Sequence, residues 1–77
     1  MTLEKHRLDG IPQITRKTLP APEFEALLKG AGYSYLGSAP AQGGRRKTWW
    51  THGTHRRVEV IYSPDMQTVI TAYHPEP

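Results

Sequence analysis

The 77-residue chain predicts an α+β fold, one N-terminal helix packed on a small three- to four-stranded antiparallel β-sheet. Three observations carry that expectation. A stretch beginning near position 21 repeats apolar residues at i, i+3, i+4 and i+7, the period of one helix face. Three later stretches, "KTWWTH", "RRVEVIY" and "TVITAY", are dense in Trp, Val, Ile, Thr and Tyr, which suit a pleated, half-buried surface. Seven prolines and seven glycines cut the chain into short elements, and a chain of this length buries a single modest core.

Taken in order, residues 1–20 alternate charges with turn formers (Asp9-Gly10, Pro12, Pro20) and read as an arm or linker with room for a short helix near Leu3 to Leu8. Residues 21–77 then make one α+β domain. Its helix is "APEFEALLKGA": Pro22 suits the first turn, Glu23 and Glu25 face the positive end of the helix dipole, and Gly30 and Gly32 stop it. Phe24, Leu27, Leu28 and Ala31 form its apolar stripe, a core face. "YSYLG" follows as a short strand and "SAPAQGG" as a loop. Gly53-Thr54 offers a two-residue turn with glycine at its first central position, and Ser63-Pro64-Asp65 a second turn with proline pre-setting φ.

Strand parity assigns faces. A turn at Gly53-Thr54 sets His52 opposite His55, Trp50 opposite Arg57 and Trp49 opposite Val58. Trp49, Val58, Val60 and Tyr62 then cover the helix, while Trp50, His52, His55, Arg57 and Glu59 share the open face. Closing the second turn with Ser63 opposite Thr68 sends Val69, Thr71 and Tyr73 to the core. Ile70, Ala72 and His74 go to the open face, with His74 opposite Arg57.

Charge and composition narrow the function classes. Without cysteine there is no disulfide framework, thiolate metal site or cysteine nucleophile. The formal charge is +3 and is local: Arg45 to Arg57 holds five Lys/Arg and no acid, whereas residues 1–30 are nearly balanced. Such a patch favours phosphate. The longest apolar run is far too short to span a bilayer, and no signal-like stretch follows Glu4, Lys5, His6 and Arg7. The chain therefore reads as acting in the cytoplasm without a membrane partner, alone or as the C-terminal domain of a larger secreted effector.

Metal-free RNA cleavage needs a base for the 2′-OH proton, an acid for the leaving 5′-oxygen and a cation for the transition-state charge. His52, His55, Arg57, Glu59 and His74 supply those types on one face, and Arg45, Arg46, Lys47, Arg56 and Trp50 supply phosphate and stacking contacts for RNA. Against this, histidines beside a turn are commonly inert, the arginines also suit a merely solvated face, and Glu59 suits a cross-strand ion pair. His52-x-x-His55 with His74 has partial zinc-ligand spacing, yet no thiol or carboxylate is placed to complete it, so neither metal nor cofactor is expected.

The helix-then-sheet order, the basic cysteine-free composition and the ending "VEVIYSPDMQTVITAYHPEP" resemble the RelE/ParE and barnase–EndoU–colicin (BECR) superfamily of toxin ribonucleases, over about residues 21–77. "FEALLKGAGYSYL" also resembles the opening of HicA-like mRNA interferases, with Gly53-Thr54-His55 a loose echo of their Gly-Ser/Thr-His. The resemblance implies a metal-independent endoribonuclease acting on tRNA or mRNA, neutralised by an acidic antitoxin or immunity protein. It adds Thr71 and Tyr73 to the catalytic candidates His52, His55, Arg57, Glu59 and His74. One clear helix is fewer than many members carry. Two readings stay open: a ribonuclease, or a non-catalytic nucleic-acid-binding or regulatory module using the same basic face.

Overall fold

The computed structural model describes residues 2–76. A 3-10 turn at Leu3–Lys5 opens it, and a two-residue strand β1 (Leu19–Pro20) precedes the helix α1 (Ala21–Gly30). Strands β2 (Ser34–Pro40), β3 (Arg46–Thr51), β4 (Val58–Tyr62) and β5 (Thr68–Tyr73) follow. Among the described residues these five strands form one antiparallel sheet in the order β1-β5-β4-β3-β2. The α+β class stands, with more strands than the three to four expected. The surplus strand is β1, which pairs with Val69 and Thr68, while β2, expected as a short strand, continues through Ser38-Ala39-Pro40 where a loop was expected. Proline is tolerated there because β2 is an edge strand and needs no donor on its outer side.

Helix α1 begins and ends on local chemistry. Pro22 sits in its first turn, and Gly32 (φ +97°) closes it in a Schellman arrangement. Gly32 N–H donates to the Lys29 carbonyl and Tyr33 N–H to the Leu28 carbonyl, each at 3.0 Å. Ala21, Phe24 and Leu28 are buried and Ala31 packs beside them, whereas Leu27, fitting the same periodicity, stays 36% exposed.

Residues 3–20, read above as an arm or linker, pack into the same core. Leu3, Leu8, Ile11, Ile14 and Leu19 are buried together with Phe24, Leu28, Tyr33, Trp50, Val58, Val60, Tyr62, Val69 and Ala72. Leu3 N–H donates to the Lys17 carbonyl, tying the start of this segment to its end.

The first hairpin departs from the expected register by one residue. Strand β3 ends at Thr51 and β4 begins at Val58, so residues 52–57 form a six-residue connection in place of a turn at Gly53-Thr54. Trp50 pairs with Val58, Trp49 with Glu59 and Thr48 with Val60. Because side chains alternate faces, the slip exchanges the two tryptophans. Trp50 is buried, 2% exposed, and donates from Nε1 to Thr48 Oγ1 at 3.0 Å, while Trp49 moves to the open face. Trp50 as an exposed stacking residue and Trp49 as core are thereby corrected.

The second hairpin closes where expected, with Ser63 N–H donating to the Thr68 carbonyl at 2.9 Å. A bulge then intervenes: Tyr62 pairs with Val69 but Ile61 pairs with Thr71, leaving Ile70 between them. The extra residue inverts parity beyond it. Ala72 therefore enters the core instead of the open face, and Tyr73 leaves the core to stand opposite Glu59. Thr71, paired with Ile61, moves to the same side as Tyr73 but is buried there, its Oγ1 without a hydrogen-bond partner among the described residues.

Candidate nucleic-acid interface

The predicted site residues separate into two groups. His55 and His74 join the N-terminal segment to the 52–57 connection at one end of the sheet, and His52 ties that connection to the C-terminal end of α1. His52 Nδ1 accepts from the backbone N–H of Thr54 (3.0 Å) and of His55 (3.3 Å), so its proton lies on Nε2, 2.9 Å from the Ala31 carbonyl it donates to. His74 Nε2 accepts from Asp9 N–H at 3.0 Å, which places its proton on Nδ1, donated to the Arg57 carbonyl at 2.9 Å. Both rings spend their nitrogens on backbone. His55 stacks on His52 with ring centroids 4.3 Å apart.

Two glycines make room for the pair. A Cβ on Gly10 would lie 2.9 Å from His55 Nε2, and one on Gly32 would lie 3.0 Å from His52 Nε2. Both glycines also have positive φ, so side chains are disfavoured there twice over. Tyr33 O–H donates to the Asp9 carbonyl at 2.6 Å and its ring meets His52 edge-on. Arg56 grips the Asp9 carboxylate with two side-chain bonds of 3.0 and 3.2 Å, and these hydrogen bonds hold that carboxyl down to about 2. Arg56, expected to contact RNA, is thus engaged within the chain, and with Arg57, His74, Pro75 and Glu76 it lines an adjoining groove of about 520 Å³.

The second group occupies the open sheet face. Residues 47 and 49 on β3, 59 and 61 on β4 and 73 on β5 point away from Val58, Val60 and Tyr62 in the core. Glu59 is the centre. Its Oε1 accepts from Trp49 Nε1–H at 2.8 Å, and its Oε2 accepts from the Tyr73 hydroxyl. That bond, with some desolvation, pushes the Tyr73 hydroxyl up to about 12. Lys47 Nζ lies 5.5 Å from the Trp49 ring centroid, a cation–π distance, and forms no ion pair among the described residues. The cross-strand ion pair weighed as the alternative for Glu59 is absent among them too, and hydrogen bonds take its place. A cleft of about 230 Å³ opens here between Glu59, Ile61, Tyr73 and Lys47 on the sheet and Ala41, Gln42 and Arg45 on the β2–β3 loop.

Glu59, Tyr73, Lys47 and Arg45 were legible as candidates, and the bulge brings Tyr73 to them. Arg46 is half-buried opposite Tyr62 on β3. Three contributors had no sequence signal. His6 reaches the site from the N-terminal segment, its ring 5.9 Å from that of Tyr73. Gln42 and Ile61 line the cleft through loop placement and strand parity. No helix among the described residues is long and apolar enough to cross a membrane. The chain matches no family model, and no curated protein or solved structure is significantly similar to it.

Proposed function

We propose that the chain is a small toxin-type endoribonuclease, cleaving tRNA or mRNA without a metal, with its reactive centre on the open sheet face. The observation that carries the reading is the Glu59 carboxylate, held by Trp49 Nε1–H on one oxygen and Tyr73 O–H on the other, in a cleft also lined by Arg45 and Lys47. Glu59 takes the 2′-OH proton, O2′ forms a bond to phosphorus, and the P–O5′ bond breaks. Tyr73 delivers its proton to the departing O5′. The protonated Glu59 then returns a proton to the Tyr73 phenolate beside it, which restores the resting pair and leaves a 2′,3′-cyclic phosphate and a 5′-hydroxyl. Lys47 and Arg45 offset the charge that builds on the phosphorane-like transition state.

In this reading His55 and His74 are positioning residues that fasten the N-terminal segment, and with it His6, to the sheet, and His52 fastens the 52–57 connection to the end of α1. The net charge of +3 suits an acidic antitoxin or immunity protein as partner, and such a toxin acts in the cytoplasm of its target, freestanding or as the C-terminal domain of a secreted effector.

One observation favours the non-catalytic nucleic-acid-binding alternative: two of the four histidines spend both ring nitrogens on backbone, removing them from proton transfer. Incubating the purified chain with total tRNA in EDTA separates the two. The ribonuclease yields discrete fragments ending in 2′,3′-cyclic phosphate, and Glu59→Gln reduces their rate by about 10²–10⁴-fold, the typical weight of one general base. Intact tRNA that is nevertheless retained in a gel shift would overturn the catalytic reading in favour of the binding module.

A further inference from the structure

The cleft beside Glu59 has the anatomy of a one-nucleotide site. Its lining includes the half-buried Ile61, an apolar surface of a kind a heterocyclic base packs against. It is also lined by the exposed Gln42, whose carboxamide bonds to no group among the described residues and so keeps one acceptor and two donors for a ligand. Arg45 and Lys47 stand at the same opening with charge for a phosphate, and Glu59 and Tyr73 close the sheet side. At about 230 Å³ it falls below the range of about 300–1,000 Å³ usual for drug-sized ligands. It therefore suits one ring system rather than a stacked pair. Gln42 sits in a short 3-10 turn, Gln42–Gly44, whose Gly43 and Gly44 both have positive φ (71° and 77°).

The geometry points to this cleft as the base-recognition subsite for one unpaired nucleotide of single-stranded RNA, with Gln42 as the residue that determines which base is accepted. The inference rests on the ribonuclease reading for its biological sense but not for its chemistry. Binding a nucleotide against Ile61 and Gln42 requires no cleavage. A carboxamide reads an adjacent donor–acceptor pair on a base edge, and a good bidentate match discriminates by about 1–3 kcal/mol, or roughly 5- to 150-fold. The cations contribute to every sequence alike, because phosphate carries no base identity.

The test uses 2′-O-methyl homotrinucleotides of A, C, G and U, which lack the nucleophile and cannot be cut, titrated against the full chain with tryptophan fluorescence as readout. The wild type should separate its best and worst trinucleotide by about 5-fold or more. Gln42→Ala should bring the four within about twofold, and Gln42→Glu, which can only accept, should reorder them towards bases offering an exocyclic amine. Lys47→Ala should weaken all four by a similar factor. Equal affinity for the four in the wild type, or an unchanged ranking in Gln42→Ala, would overturn the assignment. Thermal melts of each variant exclude unfolding as the cause. Base-selective binding through Gln42 with no cleavage of tRNA would leave this inference standing and remove the ribonuclease reading. Cleavage indifferent to Gln42 would do the reverse.

Discussion

Trp49 and Trp50 are neighbours in the chain and opposites in environment. Trp50 fills the core and bonds Thr48, which in turn donates to the Tyr62 hydroxyl at 3.4 Å; Tyr62 reaches Glu25 on the helix at 2.6 Å. This polar thread runs through the core, and burial together with the Glu25 bond raises the Tyr62 hydroxyl far above its ordinary value. Trp49 instead lies half-buried against Lys47 and Glu59. Truncating them should have unequal consequences. Trp50→Ala should cost about 3–5 kcal/mol of stability, the usual range for a buried aromatic, and Trp49→Ala less than half as much. Urea unfolding of both variants measures this, and the opposite ordering would restore the register expected from a two-residue turn.

At the scale of elements, the N-terminal segment and the 52–57 connection hold one another. Asp9 contributes three ways: its N–H to His74, its carbonyl to Tyr33 and its carboxylate to Arg56. The ion pair is exposed, with side-chain accessibilities of 70% and 31%, so its worth at neutral pH is small. Its signature is in acid. A carboxyl whose folded pKa lies near 2 against an ordinary 3.8 contributes stability that is complete above the higher value and lost as pH falls through the lower. Asp9→Asn should therefore flatten the fall in melting temperature between about pH 4 and pH 2, a window set by those two values. Superimposable acid limbs for variant and wild type would show that the carboxylate does not anchor this junction.

For the molecule as a whole, the N-terminal segment is part of what folds. Leu3, Leu8, Ile11 and Ile14 are all buried. At about 1.5–3 kcal/mol for each large aliphatic side chain, their combined contribution exceeds the roughly 3–5 kcal/mol that one core supplies to a domain this small. Deleting residues 1–14 should abolish cooperative thermal unfolding by circular dichroism. A truncated chain that still melts cooperatively would return this segment to the status of an arm. The charge distribution also acts at this scale. Arg45, Arg46 and Lys47 sit at one end of the β3–β4 ladder and Arg57 at the other, beside the groove with His74.

What the sequence determined by itself was the kind of structure and the cast of residues. Composition excluded thiol chemistry, the 3.6-residue period placed the helix, β-rich stretches placed the last three strands, and the acid-free run from Arg45 to Arg57 located the basic surface. Glu59, Lys47 and Arg45 were named as candidates from residue type and strand placement, whereas Tyr73 entered only through the resemblance to toxin ribonucleases, parity having assigned it to the core. Tertiary structure decided which side chains meet. Whether Trp49 or Trp50 faces inward depends on one residue of register, and the observed register accompanies a six-residue connection in which His52 and His55 lie against Gly32 and Gly10, contacts that turn chemistry at Gly53-Thr54 does not report. Whether Tyr73 reaches Glu59 depends on the bulge at Ile70, which local propensity does not encode. His6 meets Tyr73 across nearly the whole chain. Periodicity is a local property and is written in the sequence. Face assignment beyond a slip or a bulge is settled only when every element competes for the same core.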